Sequence, residues 1–153
     1  MIYFFDSSGI AKLYIEETGS EWVQEIFDTT PIQYLWISRI AGPEVTSALT
    51  RRFRSGDLSD ESYHDCLDEF KYNYEWSFSK IDVTHEVIKY AMELIERHNL
   101  RGYDGVQLSS AILVNNSAQR QLKQTITFIS ADNKLCTCAQ DEGLIVENPN
   151  NYP

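Results

Sequence analysis

Short apolar runs alternate along this chain with stretches in which apolar residues recur every three or four positions. The runs predict β-strands at Ile2–Phe5, Gln33–Ile37, Ile81–Val83, Ile126–Ile129 and Leu144–Val146. Helical spacing occupies the segments between them, and helix starts are predicted near Ser7, Ser20, Pro43, Ser59, Thr84, Asp104 and Asp132. Repeated strand–helix alternation predicts an α/β fold, in which a parallel sheet lies between two layers of helices.

The length and composition are those of one globular domain. The chain has 153 residues, of which 42% are hydrophobic, and this suffices for a substantial core. We expect a single domain over residues 1–147 and a loosely held C-terminal tail over residues 148–153. No apolar run approaches the roughly 20 residues of a membrane-spanning helix. The three cysteines, an odd number, fit a reducing compartment, so a cytoplasmic location is predicted.

The net charge narrows the functions that remain. It is −10, from 23 acidic and 13 basic residues, and such a surface repels nucleic acid at long range. A protein that coats DNA regardless of sequence is therefore excluded. A nuclease is not excluded, because bound metal ions reverse the local sign of charge at a carboxylate site. A basic protein partner would complement this surface.

Four acidic residues stand at comparable places in the predicted order of elements. Asp6 and Asp132 follow the first and fourth strands, whereas Glu44 and Asp104 lie at the starts of two helices. Helix capping or the helix dipole explains each of them singly. In a parallel α/β sheet, however, the carboxyl ends of strands and the starts of the following helices share one edge, where ligands bind. The topology therefore predicts that the four carboxylates converge.

Such convergence has an electrostatic consequence. Carboxylates within about 4–6 Å of one another raise each other's pKa and destabilise the fold unless a cation lies between them. Ligands that are all oxygen select Mg²⁺ or Mn²⁺ over zinc. The sequence thus predicts a site for a hard divalent cation.

Four segments carry the residues of a known family. Phe4–Tyr14 (FFDSSGIAKLY) resembles the opening motif of PIN-domain nucleases, particularly the VapC-like toxins of toxin–antitoxin modules. Glu44–Leu49 (EVTSAL) resembles their second acidic motif, and Leu100–Ala111 (LRGYDGVQLSSA) resembles the third, which is the most specific. Phe128–Asp132 (FISAD) resembles the fourth. Order and spacing agree over essentially the whole chain.

The sequence departs from the family pattern at a few positions without losing a carboxylate. Pro43 precedes the glutamate, Gly105 replaces a commoner alanine, and Gln107 with Leu108 stands where many relatives have Leu-His. These departures bear on substrate preference more than on activity.

The resemblance implies a three-layer α/β/α fold with a central parallel sheet of about five strands. It also implies an Mg²⁺- or Mn²⁺-dependent endoribonuclease that a cognate antitoxin inhibits. The acidic site is carried over as Asp6, Glu44, Asp104 and Asp132. A metal-activated water would then hydrolyse RNA and leave a 5′-phosphate. The three histidines, His64, His85 and His98, lie in ordinary helical or connecting context and offer no pair for metal-free attack by a 2′-hydroxyl.

Other residues near the acidic motifs have two interpretations each. Ser8 and Ser130 match small hydroxyl positions beside the acids; they orient a ligand or a water, or else they are turn and cap hydroxyls. Arg101 contacts a phosphate or pairs with a carboxylate. The arginines at 51, 52 and 54 end a helix, which favours a solvated face that complements the helix dipole, and steering of RNA is the alternative.

Aromatic residues alternate between Phe70 and Phe78. A helix would point them in all directions, so we expect part of this segment to be extended or irregular. Packing in the core and at an edge is one interpretation. A surface for an antitoxin segment or for the second subunit of a homodimer is another, and base stacking is a third.

The same residues leave three alternatives to the ribonuclease. A catalytically silent module of the same fold would act only by binding a protein partner. A phosphatase of the haloacid-dehalogenase type also has an aspartate after its first strand, but it needs a second one two residues on, where this chain has Ser8. A structure-specific DNA nuclease shares the carboxylates, yet the chain lacks the length for DNA-clamping elements.

Overall fold

The computed structural model describes all 153 residues, and a sheet of five parallel strands forms its centre. The strands are β1 (Ile2–Phe5), β2 (Leu35–Ser38), β3 (Ser79–Ile81), β4 (Ile126–Ile129) and β5 (Ile145–Glu147). The helices are α1 (Ser7–Ala11), α2 (Ser20–Thr29), α3 (Ala41–Arg54), α4 (Asp60–Trp76), α5 (His85–His98), α6 (Gly102–Leu122) and α7 (Asn133–Asp141). The predicted α/β fold with a parallel sheet is confirmed.

The order of the strands decides where a cleft can form. They lie in the order β3-β2-β1-β4-β5, so the chain leaves β1 toward one edge of the sheet and leaves β4 toward the other. Ligands bind in the crevice at the carboxyl ends of strands where the direction of winding reverses. Phe5 pairs with Ile129 in the register of β1 and β4, and Asp6 N donates to the Ile129 carbonyl at 3.0 Å. The residues after β1 and β4 are therefore neighbours.

Each face of the sheet has its own hydrophobic core. Phe4 points to the layer of α5, α6 and α7, where it packs in a cluster with Leu108 and Phe128. Phe5 points to the layer of α1 to α4 and belongs to a cluster with Val45 and Phe70. Successive strand residues alternate between faces, so the run Ile2–Phe5 serves both cores. This explains why the strand is apolar without interruption.

Several predicted boundaries shift when the chain folds. The second strand starts at Leu35, after a 3₁₀ turn at Ile32–Tyr34, and the third covers Ser79–Ile81. α2 starts at Ser20, as predicted, but its N-cap is Gly19, with a φ of 86°, and not Ser20. A Cβ on Gly19 would lie 2.2 Å from the Pro149 carbonyl oxygen. Only glycine fits there.

The aromatic segment is helical as far as Trp76, and the irregular part that we expected is confined to Ser77 and Phe78 before β3. α4 begins at Asp60, next to the predicted start Ser59, and the Ser59 hydroxyl caps it by accepting from Ser62 N. Phe70 is buried, whereas Tyr72 and Trp76 are 65% and 67% exposed. The aromatics of α4 thus divide between the core and the solvent-exposed side of the helix, and Phe78 is buried just after the helix ends.

The C-terminal residues are packed and not loosely held as expected. Pro149–Asn151 forms a 3₁₀ turn, and the ring of Tyr152 stacks on Trp22 of α2 with centroids 4.3 Å apart. A folding unit over residues 1–147 stays a prediction. None of the helices combines the length and the apolar character needed to cross a membrane.

Candidate active site

Asp6 is the most deeply placed of the four carboxylates. It directly follows β1 and caps α1, since its Oδ1 accepts from Gly9 N at 2.8 Å. Two hydroxyls hold the same carboxylate: Ser8 Oγ donates to Oδ1 at 2.7 Å and Ser130 Oγ donates to Oδ2 at 2.7 Å. Asp6 is only 4% exposed. Both oxygens are thus engaged by the protein.

Burial dominates the electrostatics of this residue. Loss of solvent raises the pKa of Asp6 to about 6, although the bonds from Gly9, Ser8 and Ser130 lower it, and the charge of Glu44 adds a smaller increase. The ionised form is therefore held at a cost to the fold. A nearby cation would offset that cost.

Ser8 and Ser130 tie the loop after β4 to the loop after β1. Ser8 Oγ accepts from Ala131 N at 2.9 Å, and Ser130 Oγ accepts from Asp132 N at 3.1 Å. Each hydroxyl therefore orients Asp6 and caps the turn that leads to α7. These contacts agree with the interpretation of turn and cap hydroxyls, whereas the orientation of a ligand or a water stays a prediction.

Glu44 is held from below by two residues of other elements. It lies in the first turn of α3, and its Oε1 accepts from Ser7 Oγ at 2.9 Å and from Gln107 Nε2 at 2.8 Å. Gln107 Nε2 also approaches Ser7 Oγ at 2.9 Å. Oε2 of Glu44 has no hydrogen-bond partner in the protein. This oxygen is available to a ligand.

Asp104 and Asp132 form the opposite side of the site. Asp104 lies in the first turn of α6 and accepts no hydrogen bond from the protein. Asp132 caps α7 through its Oδ1, which accepts from Leu135 N at 3.0 Å, and its Oδ2 has no partner. Partial burial raises the pKa of Asp104, as do the charges of Asp132 and Glu44.

The carboxylates of Glu44, Asp104 and Asp132 line one open cavity of about 960 Å³. Asp6 does not line it and lies beneath, within electrostatic reach of Glu44. The cavity is polar, and its lining consists of Pro43, Glu44, Ser47, Arg51, Arg101, Gly102, Tyr103, Asp104, Asp132 and Lys134. The four predicted acids are thus brought to one place, three at the surface and one below it.

The side chains as they stand do not form a closed metal cage. No three His, Cys, Asp or Glu side chains are grouped tightly enough to hold a metal ion. Mg²⁺ needs less than that, because it binds through one or two carboxylates and keeps several waters. The oxygens of Glu44, Asp104 and Asp132 that lack hydrogen-bond partners supply hard donors of this kind, so the residues fit such an ion.

Sequence reasoning missed two residues of the site and left a third undecided. Gln107 and Ser7 were not assigned to it. Gln107 lies three residues after Asp104 on a helix, and this spacing puts Gln107 and Asp104 on one face of that helix. Arg101 forms no ion pair and lines the cavity. No histidine lines it, which agrees with the expectation that no histidine pair acts here.

Comparison with known proteins adds a relative and several structures of the same fold. No protein-family model matches the chain. Ribonuclease VapC45 of Mycobacterium tuberculosis is 33% identical over 116 residues, which cover 75% of this chain and 78% of that protein. FitAcB from Neisseria gonorrhoeae superposes with a TM-score of 0.68 at 14% identity, covering 97% of this chain and 98% of that one. For VapC20 of Mycobacterium tuberculosis, described as a sarcin-ricin loop cleaving toxin, the TM-score is 0.64 at 16% identity over 94% of this chain and 96% of that one.

Proposed function

Because this chain belongs to the VapC ribonuclease family, we propose that it is the endoribonuclease toxin of a toxin–antitoxin module and hydrolyses RNA phosphodiester bonds in its acidic cavity. One observation carries the assignment of the site. Three carboxylates from three different helix starts line a single cavity, and each retains an oxygen that no protein group occupies. Pure helix capping does not account for those free oxygens.

Mg²⁺ or Mn²⁺ is the cofactor in this proposal. Asp104 and Asp132, with Glu44 and Asp6 directly or through water, would hold one or two ions, which supply a water of lowered pKa and positive charge against the scissile phosphate. Oxygen-only donors support a hard cation over zinc. The raised pKa values of Asp6 and Asp104 support it as well, since a cation relieves the cost of ionising both.

The chain's own residues position the reacting groups. Ser8 and Ser130 fix Asp6, so that its charge stays in one place beneath the cavity. Gln107 fixes Glu44 through Oε1 and leaves Oε2 free toward a bound water or ion. Arg101, which has no carboxylate partner, contacts phosphate in this proposal. The absence of histidine from the cavity favours a product with a 5′-phosphate over a 2′,3′-cyclic phosphate.

The proposed partner is a cognate antitoxin. One solved structure of the same fold is described as a toxin–antitoxin complex from Klebsiella pneumoniae, and another as VapBC2 from Rickettsia felis bound to a DNA fragment from the promoter. In this chain, Tyr72 and Trp76 lie one turn apart on the exposed side of α4, and exposed aromatic residues of this kind anchor partner peptides or a second subunit of a homodimer. A cytoplasmic location, where RNA and antitoxin meet, belongs to the same proposal.

Cleavage assays with matched variants test the chemistry. A defined RNA is incubated with wild type, with Asp104→Asn and with Asp68→Asn, in Mg²⁺, in Mn²⁺ and in chelator. Asp68 is an exposed residue of α4 outside the cavity. We expect Asp104→Asn to lower the rate by at least about a hundredfold, as loss of a key electrostatic group does, and Asp68→Asn to leave it unchanged. Chelator should abolish cleavage by all three proteins.

Two outcomes would contradict the proposal. Full cleavage by wild type in chelator would show that the reaction needs no metal ion. Full cleavage by Asp104→Asn would show that the reaction does not take place at the assigned site. A wild-type protein that cleaves no RNA under any condition, yet binds a protein partner, would identify the chain as a silent binding module.

A further inference from the structure

Three cations line the acidic cavity of a protein whose overall charge is negative. Arg51, Arg101 and Lys134 come from α3, from the start of α6 and from α7. They face the three carboxylates of the same cavity, so the local charge is close to balanced while the whole chain carries −10. Because the cavity is less negative than the rest of the surface, an anionic ligand is repelled less there and can approach.

The arginines of α3 differ in how they are used. Arg52 pairs with Glu17, with 3.3 Å between Nη2 and Oε2. Arg51 and Arg54 are exposed and form no ion pair or side-chain hydrogen bond, but only Arg51 lines the cavity. The expectation of a solvated face therefore fits both Arg51 and Arg54, and Arg51 differs from Arg54 in that it also borders the cavity.

The position of Arg51 on the helix fixes what it can contact. Glu44, Ser47 and Arg51 all line the cavity, and their spacing of three and then four residues puts them on one face of α3. Arg51 lies about 10 Å beyond Glu44 along the helix axis. Arg101 and Lys134, in contrast, lie close enough to Asp104 to lower its pKa. The cavity thus has one cation at a distance from the carboxylates and two beside them.

We propose that Arg51 forms a phosphate-binding subsite for a nucleotide next to the scissile bond, so that the RNA strand is held on both sides of the acidic cluster. The subsite rests on the proposed ribonuclease function and extends it. A guanidinium suits this role because it presents paired donors that match two oxygens of one phosphate. Because Arg51 has no partner in the free protein, no ion pair must break when RNA binds.

Binding and cleavage by Arg51→Gln, Arg51→Lys and Arg54→Gln test the subsite. Affinity for a fluorescently labelled single-stranded RNA is measured at several salt concentrations in the Asp104→Asn background with Mg²⁺. We expect Arg51→Gln to weaken binding by about tenfold and to reduce the slope of log K against log salt by about 0.7, the contribution of one phosphate contact to a single strand. Arg54→Gln removes the same charge from the same helix and should change affinity by less than about twofold. Arg51→Lys should keep the slope, because the charge remains.

Steady-state kinetics with Asp104 intact separate this subsite from the chemistry. Arg51→Gln should raise KM for RNA and leave kcat within about twofold, since binding away from the reacting bond is lost equally from ground state and transition state. Equal effects of Arg51→Gln and Arg54→Gln on affinity would contradict the subsite and would indicate general electrostatic attraction of RNA by the basic end of α3. A fall in kcat with KM and salt slope unchanged would overturn it as well. If wild type fails to cleave RNA, both the proposed function and the subsite are wrong. If Arg51→Gln cleaves RNA with unchanged kinetics, only the subsite is wrong.

Discussion

Asp6 and Asp104 belong to the same acidic site, but the protein holds them in opposite ways. Asp6 is 4% exposed, and its two oxygens accept hydrogen bonds from Gly9 N, Ser8 Oγ and Ser130 Oγ. Asp104 is half-buried and accepts no hydrogen bond from the protein. The first is fixed before any ligand arrives, and the second is free to adapt to one.

The pKa values of the two carboxylates are raised for partly different reasons. For Asp6 the cost is desolvation, which raises its pKa to about 6. Asp104 has a raised pKa for the same first reason, but the charges of two neighbouring carboxylates raise it further and two cations lower it. The buried carboxylate of Asp6 thus supplies a fixed negative potential below the cavity. The carboxylates that line the cavity keep oxygens free to bind a cation.

The largest predicted effect is the stabilisation of the metal-free protein by Asp6→Asn. The asparagine keeps an acceptor for Gly9 N and Ser8 Oγ and removes the buried charge. Its Nδ2 replaces the acceptor Oδ2 and donates to Ser130 Oγ, whose own hydrogen can turn to Ser8 Oγ at 3.3 Å. The pKa of Asp6 rises from 3.8 to about 6, so the protonated form is favoured in the folded state, and the wild type loses stability as the pH rises from about 4 to 6. Above that range we expect Asp6→Asn to be more stable by about 3 kcal/mol, at about 1.4 kcal/mol per tenfold change in proton affinity.

Urea denaturation in chelator between pH 4 and pH 8 measures this prediction. The advantage of Asp6→Asn should shrink as the pH falls toward 4, because folded Asp6 is then protonated and the unfolded aspartate, whose pKa is 3.8, begins to bind its proton as well. Asp104→Asn is the matched variant on the exposed side, and its gain should have the same sign and a smaller size, because solvent screens its charge. A loss of stability in Asp6→Asn at neutral pH would contradict the view that burial dominates this residue.

A smaller effect is predicted for the hydroxyl that fixes Asp6. Ser130 is fully buried, and Ser130→Ala removes its bond to Asp6 Oδ2 and leaves Asp132 N without its acceptor. We expect a loss of about 1–2 kcal/mol in the free energy of unfolding. Ser47→Ala, which lines the same cavity without a hydrogen bond of its side chain, should cost less than about 0.5 kcal/mol. Equal losses in the two variants would show that the fixed and the open side of the site are not distinct.

The sequence predicted those parts of the site that depend on local signals and on topology. Asp6 and Asp132 cap their helices through Gly9 N and Leu135 N, as expected of aspartates at such positions. Their proximity followed from the shared edge of a parallel sheet, and the register that pairs Phe5 with Ile129 brings it about. Strand and helix positions followed from apolar spacing, because both layers of helices bury one side against the sheet.

The remaining features depend on contacts between residues far apart in the chain. The bond from Gln107 to Glu44 joins residues 63 positions apart, and no local pattern indicates it. Spacing puts Arg51 on the face of Glu44, but it could not show that this face borders a cavity or that Arg52 pairs with Glu17. The extent of the irregular part of the aromatic segment could not be predicted, because the exposed pair Tyr72 and Trp76 hid the helical pattern that continues to Trp76.

The smallest predicted effect concerns Glu44, which is intermediate between the fixed and the free carboxylates. Gln107 Nε2 restrains its Oε1, while the Oε1 of Gln107 itself is buried without a partner. Gln107→Met keeps the volume and removes both the restraint and the unpaired oxygen, so the free energy of unfolding should change by less than about 1 kcal/mol. The rate of RNA cleavage should fall about threefold to tenfold, because Glu44 keeps only the bond from Ser7.

A double-mutant cycle decides whether Gln107 acts through Glu44. In the Glu44→Gln background, Gln107→Met should have no further effect on the residual rate, because the restrained carboxylate is gone. If the two losses simply multiply, Gln107 acts independently of Glu44, and the carboxylate needs no second restraint. Glu44 would then resemble Asp104, whose carboxylate is free to adapt to a ligand. Asp6 would be the only one of the four acids whose carboxylate must be fixed by its neighbours.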